Sequence, residues 1–237
     1  MSDPIIKEAI ILAGGLGTRL RSAVPDLPKC LAPVGGRPFI GYVTDYFRQA
    51  GIRHFIFALG YKHSAFDDFF RQTFPDGGYT ISLEQEPLGT GGAIRQACTL
   101  GSEKTVLILN GDTFFRIALD SLSAFHRQQA ADCSLCLKPM RDFDRFGVVE
   151  QDAGQRVTLF REKQYYAEGL INGGVYALCR ERFLHEDLPP VFSFEKDYLE
   201  KVLVTRRVCG LVQDTYFIDI GIPEDYRRIQ NEINELL

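Results

Sequence analysis

No apolar stretch in the 237 residues approaches the roughly 20 that a membrane-crossing helix needs. Residues Met1 to Lys7 lack the basic-then-apolar layout of a secretory leader, so a cytoplasmic protein without membrane attachment is expected. An excess of positive charge is missing too: 27 Lys and Arg stand against 31 Asp and Glu, a formal net charge of −4. That balance argues against a general affinity for nucleic acid, and an anionic substrate would need a local cationic site or a metal. The six cysteines are scattered through apolar surroundings, and the CxxC spacing of Cys133 and Cys136 has no second pair nearby. Buried free thiols in a reducing compartment are expected rather than a redox or zinc site. No hexapeptide repeat suggests an appended β-helix, so a single activity is expected.

What is present reads as an ordinary globular protein, 45% hydrophobic and 24% charged, long enough for one α/β domain with a substantial core. Ile10-Ile11-Leu12 is a short apolar run suited to a strand buried on both faces, and it leads into Gly14, Gly15 and Gly17. Glycines there let the backbone approach a ligand, and successive free N–H groups in such a turn make an anion-binding concavity. Arg19 and Lys29, the latter framed by Pro28 and Pro33, add two cations, so the stretch reads as a cradle for a polyphosphate. It is not a Rossmann fingerprint, because Leu20 stands where the third glycine belongs, and no Gly-Lys-Ser/Thr completes a P-loop.

Apolar periodicity predicts a helix over 39–50 stopped at Gly51, a strand over 54–59, a helix over 62–73 and a strand over 79–85. A helix over 93–99, a strand over 105–110, a helix over 119–130 and a strand over 133–137 follow. This rhythm argues for βαβ units in a parallel sheet. After Pro139, short strand-like pieces between turn signals predict an antiparallel part, followed by a helix over 193–204, a strand over 208–212 and a last helix over 224–236.

Two acidic residues stand out. Asp112 follows the apolar run 105–110, at the carboxyl end of a buried strand, where open α/β sheets bind ligands. It is a candidate ligand for Mg²⁺, which takes one or two carboxylates and fills its octahedron with phosphate oxygens and waters. Glu84 comes just before Glu86-Pro-Leu-Gly89-Thr90-Gly91-Gly92-Ala93, whose glycines mark a second close approach of backbone to ligand. Guanine offers two adjacent donors that a carboxylate can accept, whereas uracil and thymine suit an amide. Glu84 would therefore favour GTP if this loop holds a nucleobase.

Leu12 to Leu20 followed by Leu27-Pro28-Lys29 resembles the signature of the sugar-1-phosphate nucleotidylyltransferases, which join a nucleoside triphosphate to a sugar 1-phosphate and release pyrophosphate. The likeness continues through residues 86–93, Asn110-Gly111-Asp112, Arg161-Glu162-Lys163, Asn172-Gly173-Gly174-Val175-Tyr176 and Asp219-Ile-Gly221-Ile-Pro223, in the family's order and over nearly the whole chain, and it implies that residues 86–93 form the nucleobase loop. It departs at Arg21 to Val24, at Cys30 and at Ile222, where the family commonly has a Pro-Leu-Thr run, proline and threonine.

The resemblance implies one domain over 1–237, with a nucleotide half of about 1–115 and a sugar half of about 116–237. It implies a Rossmann-like, mostly parallel mixed sheet flanked by helices, with a small antiparallel sugar-side annex. Carried over residue by residue, Leu12, Ala13, Gly14, Gly15, Gly17, Thr18, Arg19, Glu84, Gly89, Thr90 and Gly111 would bind the nucleotide. Glu162, Lys163, Asn172 and Gly173 would bind the sugar phosphate, and Asp112 and Asp219 would hold Mg²⁺. Arg19, Lys29, Asp112 and Lys163 would serve the reaction. Ser193 to Asp197 reads as a helix cap. The motifs look most like the guanylyltransferase branch acting on D-glycero-D-manno-heptose 1-phosphate. A UTP or CTP enzyme for a hexose or N-acetylmuramate 1-phosphate is the alternative, and a silent nucleotide-sugar sensor is the reading from another class. The expected partners are the two substrates, with no nucleic acid and no membrane; a homo-oligomer is left open.

Overall fold

In a computed structural model of the protein, residues 6–15, 20, 24, 27–60 and 62–235 are described. Seven strands form one sheet: β1 (Glu8–Leu12), β2 (His54–Leu59), β3 (Tyr79–Leu83), β4 (Thr105–Asn110), β5 (Cys133–Phe143), β6 (Tyr166–Cys179) and β7 (Val208–Val212). Their spatial order is β7-β5-β6-β4-β1-β2-β3. Every pairing is parallel except those of β6, which is antiparallel to β4 and β5. The helices are α1 (Phe39–Ala50), α2 (Asp67–Thr73), α3 (Gly89–Leu100), α4 (Leu119–Gln128), α5 (Arg180–Leu184), α6 (Glu200–Val202) and α7 (Pro223–Asn231).

The period-2 alternation of β1 explains the layers. Ala9 and Ile11 join a core with Phe39, Val43, Phe70, Leu122 and Ile229, from α1, α2, α4 and α7. Ile10 points to the other face, among Ile94 and Ala97 of α3, Phe183 of α5 and Tyr198. A strand covered on both faces has no use for polar side chains, which is why this run is uninterrupted. Among the described residues, no helix is long and apolar enough to cross a membrane. Cys133 and Cys136 are buried and free, and burial pushes both thiols up.

Several boundaries differ from the periodicity. The helix expected from residue 62 opens with Lys62 at φ 64° and a 3₁₀ turn, His63–Phe66, before α2 begins. Strand β5 runs past Pro139 to Phe143; beyond Leu137 it pairs only with β6, and a strand edge tolerates proline. The segment around Asn172 to Tyr176 lies inside the main sheet, as part of the 14-residue β6. Its register shifts between Asn172 and Tyr176, with Gly174 at φ 70°, a bulge of the kind glycine permits. The antiparallel annex is the hairpin of Val149–Gln151 and Val157–Phe160, flanked by single bridges from Val148 to Ile171 of β6 and from Arg156 to Cys209 of β7. Ser193 does cap its segment, its Oγ accepting from Lys196 N at 3.2 Å, but the first turn, Phe194–Leu199, is a π-turn rather than an α-helix.

His126 of α4 gives a pH prediction. It is buried, and its Nδ1 lies 2.9 Å from Ser134 Oγ. Burial lowers its pKa from 6.5 to about 4, with Asp132 raising it and Arg182 lowering it by smaller amounts. The folded protein therefore binds this proton less readily than the unfolded chain, and the stabilisation present at neutral pH is lost as pH falls from 6.5 toward 4. Linkage puts the loss between pH 7 and 5 at about 2 kcal/mol. Urea unfolding at the two pH values should show a shallower loss for His126→Asn; an equal loss would clear the imidazole of responsibility.

Candidate active site

The sheet order reverses between β1 and β4, and ligands of open α/β sheets bind outside the carboxyl ends of the strands at such a point. A cleft of about 1060 Å³ opens there. It is lined by Leu12 to Gly15 at the end of β1, Glu84 after β3, and Gly89 and Thr90 at the start of α3. Arg145, Phe146, Lys163 and Glu195 line it too, as do Lys29, Asp112 and Asp219.

The two aspartates are brought together by a small ladder. Thr113–Phe115 pairs antiparallel with Phe217–Asp219, Asp219 opposite Thr113, and Ile220 N donates to the Asp112 carbonyl at 3.0 Å. Lys29, in the 3₁₀ turn Lys29–Leu31, places its ammonium 2.5 Å from Asp112 Oδ2 and 3.4 Å from Asp219 Oδ1. Asp219 Oδ1 also accepts from Gly221 N at 2.6 Å. Burial, and then the Asp112 charge, hold the Asp219 carboxyl above its usual range, against the pull of Lys29, Gly221 N–H and Arg145. A Cβ on Gly221 would stand 2.7 Å from Asp219 Oδ1 and 2.8 Å from Lys29 Nζ, so glycine leaves room for both charged groups where they lie.

Two partly exposed carboxylates at neighbouring strand ends suit a hard cation that draws its remaining ligands from phosphate and water. Among the described residues no group of three or more His, Cys, Asp or Glu forms a protein-only cage. The donor set fits a divalent cation shared with a substrate better than a structural metal.

Glu84 sits at the seam of two loops. Its Oε2 accepts from Leu88 N at 3.0 Å, and a Cβ on Gly14 would come within 2.9 Å of its Oε1. The glycine after β1 thus makes room for this carboxylate. Gly111 is required by the chain itself: its N–H donates to Leu12 O at 2.9 Å, and a Cβ would stand 2.8 Å from that oxygen. Gly91 and Gly92, expected to approach a ligand, instead accommodate residues 190–192. A Cβ on Gly91 would strike the Phe192 ring at 2.2 Å, and one on Gly92 would meet Pro190 O at 2.5 Å. They belong to the first turn of α3, which begins at Gly89 rather than at 93.

The expected sugar-side residues divide. Lys163 reaches the cleft. Glu162 is exposed and pairs with Lys196 at 3.5 Å. Asn172 turns its amide onto Tyr176, and Gly173 packs under Phe115, where a Cβ would come within 2.4 Å. Gly17, Thr18 and Arg19 lie outside the described residues. Sequence reasoning missed Arg145 and Phe146, which sit in a charged turn without local signal, and left Glu195 as part of a cap.

The sequence matches the nucleotidyl transferase family over residues 8–235. The chain belongs to that family. It is 46% identical over 231 residues to D-glycero-alpha-D-manno-heptose 1-phosphate guanylyltransferase of Aneurinibacillus thermoaerophilus, covering 97% of this chain and 100% of the relative. Identity to the protein of that name from Campylobacter jejuni is 41% over 219 residues, 92% of this chain and 96% of the relative. HddC from Yersinia pseudotuberculosis superposes with a TM-score of 0.86 at 33% identity, over 96% of this chain and all of that one, and its complex with GMP-PN gives 0.85. The expected nucleotidyltransferase and its mostly parallel mixed sheet are borne out.

Proposed function

We propose that the protein transfers a guanylyl group from GTP to D-glycero-D-manno-heptose 1-phosphate, giving GDP-heptose and pyrophosphate. The observation that carries this reading is the meeting of Lys29, Asp112 and Asp219 at the switch point of the sheet, in a cleft that Glu84 also lines. The base and sugar are supported by the relatives named above. The division into a nucleotide half, about 1–115, and a sugar half, about 116–237, belongs to the same reading, as does a cytoplasmic location.

An oxygen of the sugar 1-phosphate attacks the α-phosphorus in line, and pyrophosphate leaves. A phosphate dianion is already a nucleophile, so no His base or activated Ser is needed. The protein's work is positioning and charge neutralisation. Asp112 and Asp219 would hold Mg²⁺, which would neutralise phosphate oxygens. Lys29 lies at the same point and can turn its flexible stem toward the departing pyrophosphate, a role shared with Arg19. Lys163, which also lines the cleft, draws in the sugar phosphate. The backbone of Leu12 to Gly15, with Gly17 and Thr18, cradles the triphosphate, and Glu84 with Gly89 and Thr90 faces the base and ribose.

Pyrophosphate release with Mg²⁺, measured across four nucleoside triphosphates and several sugar 1-phosphates, tests this. Release with GTP and a heptose 1-phosphate above all other pairs is expected. Release with UTP or CTP and a hexose phosphate would discard the base and sugar and keep the chemistry. GTP binding without release from any pair would favour a sensor.

A further inference from the structure

Tyr176 is among the largest fully buried side chains, 1% exposed, in a cluster with Ile108, Leu135 and Leu178 of the sheet and Phe183, Phe194 and Tyr198 over it, and its phenol carries a hydroxyl that must be satisfied. It is satisfied both as an acceptor and as a donor. Asn172 Nδ2 donates to the Tyr176 oxygen at 2.8 Å, and the Tyr176 hydroxyl donates to Glu195 Oε1 at 2.9 Å. Burial, with the Glu195 charge, pushes the phenol well above its ordinary range, so the hydroxyl keeps its proton and remains a donor. Asn172 Oδ1 accepts from Gly174 N at 3.1 Å, which fixes the amide orientation and the bulge together.

The other end of the chain of bonds reaches the start of α3. Glu195 Oε2 accepts from Thr90 Oγ1 at 3.3 Å, and Thr90 Oγ1 in turn accepts from Phe194 N at 2.9 Å. Each carboxylate oxygen is thus gripped by one hydroxyl, one from the middle of β6 and one from the start of α3. A carboxylate has about four acceptor sites, so two remain. Glu195 lines the cleft, as does Lys163. A carboxylate repels phosphate and accepts from neutral hydroxyls, so the group it suits is the polyol part of a sugar phosphate, with the phosphate left to the lysines.

We propose that Tyr176 is a positioning residue for the sugar half of the cleft, its hydroxyl aiming the Glu195 carboxylate at a hydroxyl of the sugar phosphate while Thr90 ties the same carboxylate to the start of α3. The proposal rests on the functional reading above. It gives Asn172 an indirect role: its amide supports Tyr176, and through it Glu195.

The test uses the full chain with Tyr176→Phe, Glu195→Gln and the double variant, in steady-state pyrophosphate release with GTP and D-glycero-D-manno-heptose 1-phosphate varied in turn. Tyr176→Phe removes one bond to a charged acceptor, and the KM for the sugar phosphate should rise about tenfold, with kcat and the GTP KM within about threefold of wild type. Because Tyr176 acts through Glu195, the double variant should be no worse than Glu195→Gln alone. Sugar KM unchanged in Tyr176→Phe, or effects that multiply in the double variant, overturns the proposal. So does a parallel rise in both KM values with a lowered melting temperature, which is what a purely structural tyrosine gives. Should Tyr176→Phe fail to fold, Glu195→Gln decides, and an unchanged sugar KM overturns it. A wild-type protein inactive with every triphosphate and sugar phosphate overturns the functional reading and this proposal with it; active wild type with both variants unchanged overturns this proposal alone.

Discussion

Asp112→Asn loses at least about a hundredfold in turnover and leaves the melting temperature near that of wild type. Asparagine keeps the shape of the side chain and can still accept from Lys29 Nζ through its remaining oxygen. What it gives up is the charge. Half the carboxylate pair at the strand ends is gone, and a hard cation that depends on one or two carboxylates is held far more weakly. Stability changes little because the Asp112 side chain is about one-third exposed, where an ion pair contributes about 1 kcal/mol or less. Asp219→Asn should be as damaging to turnover. Its fold is safe for a different reason: the amide oxygen can keep the Gly221 N–H bond, and the burial of a charge and the repulsion from Asp112, which together raise the native carboxyl, both disappear. Pyrophosphate release, melting temperature and Mn²⁺ binding on the three proteins check this. Near-wild-type turnover by Asp112→Asn would remove these residues from the metal role.

Much of this site was legible before any coordinates. The Ile10 run, the glycines behind it and Asp112 after an apolar strand are local features, each set by neighbours in sequence, and the strand ends follow from them. Lys29 was visible as a cation between prolines, although nothing in its spacing placed it against Asp112 and Asp219, 83 and 190 residues away. The harder parts are those where tertiary contacts reverse the local reading. Gly91 and Gly92 look like ligand-facing glycines and are small because Pro190 and Phe192 lie on them. The segment at Asn172 looks like a short annex strand and is the antiparallel member of the main sheet, because β4 and β5 both offer it a free edge. Glu195 reads as a first-turn acid suited to a helix dipole, and only the distant Tyr176 and Thr90 turn it toward the cleft. Residue type and spacing located the residues that line the cleft wherever they sit at one strand end. They gave no placement where a residue's partner comes from another part of the chain.

Glu84→Gln is expected to lower kcat/KM for GTP by about ten- to a hundredfold and to narrow or reverse the preference over UTP. The argument turns on the bond that already holds the side chain. Glu84 Oε2 accepts the Leu88 N–H at 3.0 Å, an interaction that shapes the loop before α3. A glutamine must satisfy the same N–H, and only its oxygen can do so. The amide nitrogen is then left at the position of Oε1, beside Gly14, facing the cleft. Guanine's N1–H and exocyclic amine meet a donor where they had an acceptor, while a carbonyl of uracil gains a partner. The substitution therefore changes base recognition without the loop having to move, and it should leave the KM for the sugar phosphate and the melting temperature close to wild type. The comparison of GTP and UTP in the same assay is the decisive one. Equal losses for both would mean that Glu84 holds the loop and does not read the base, whereas a selective loss of GTP would place the carboxylate against guanine.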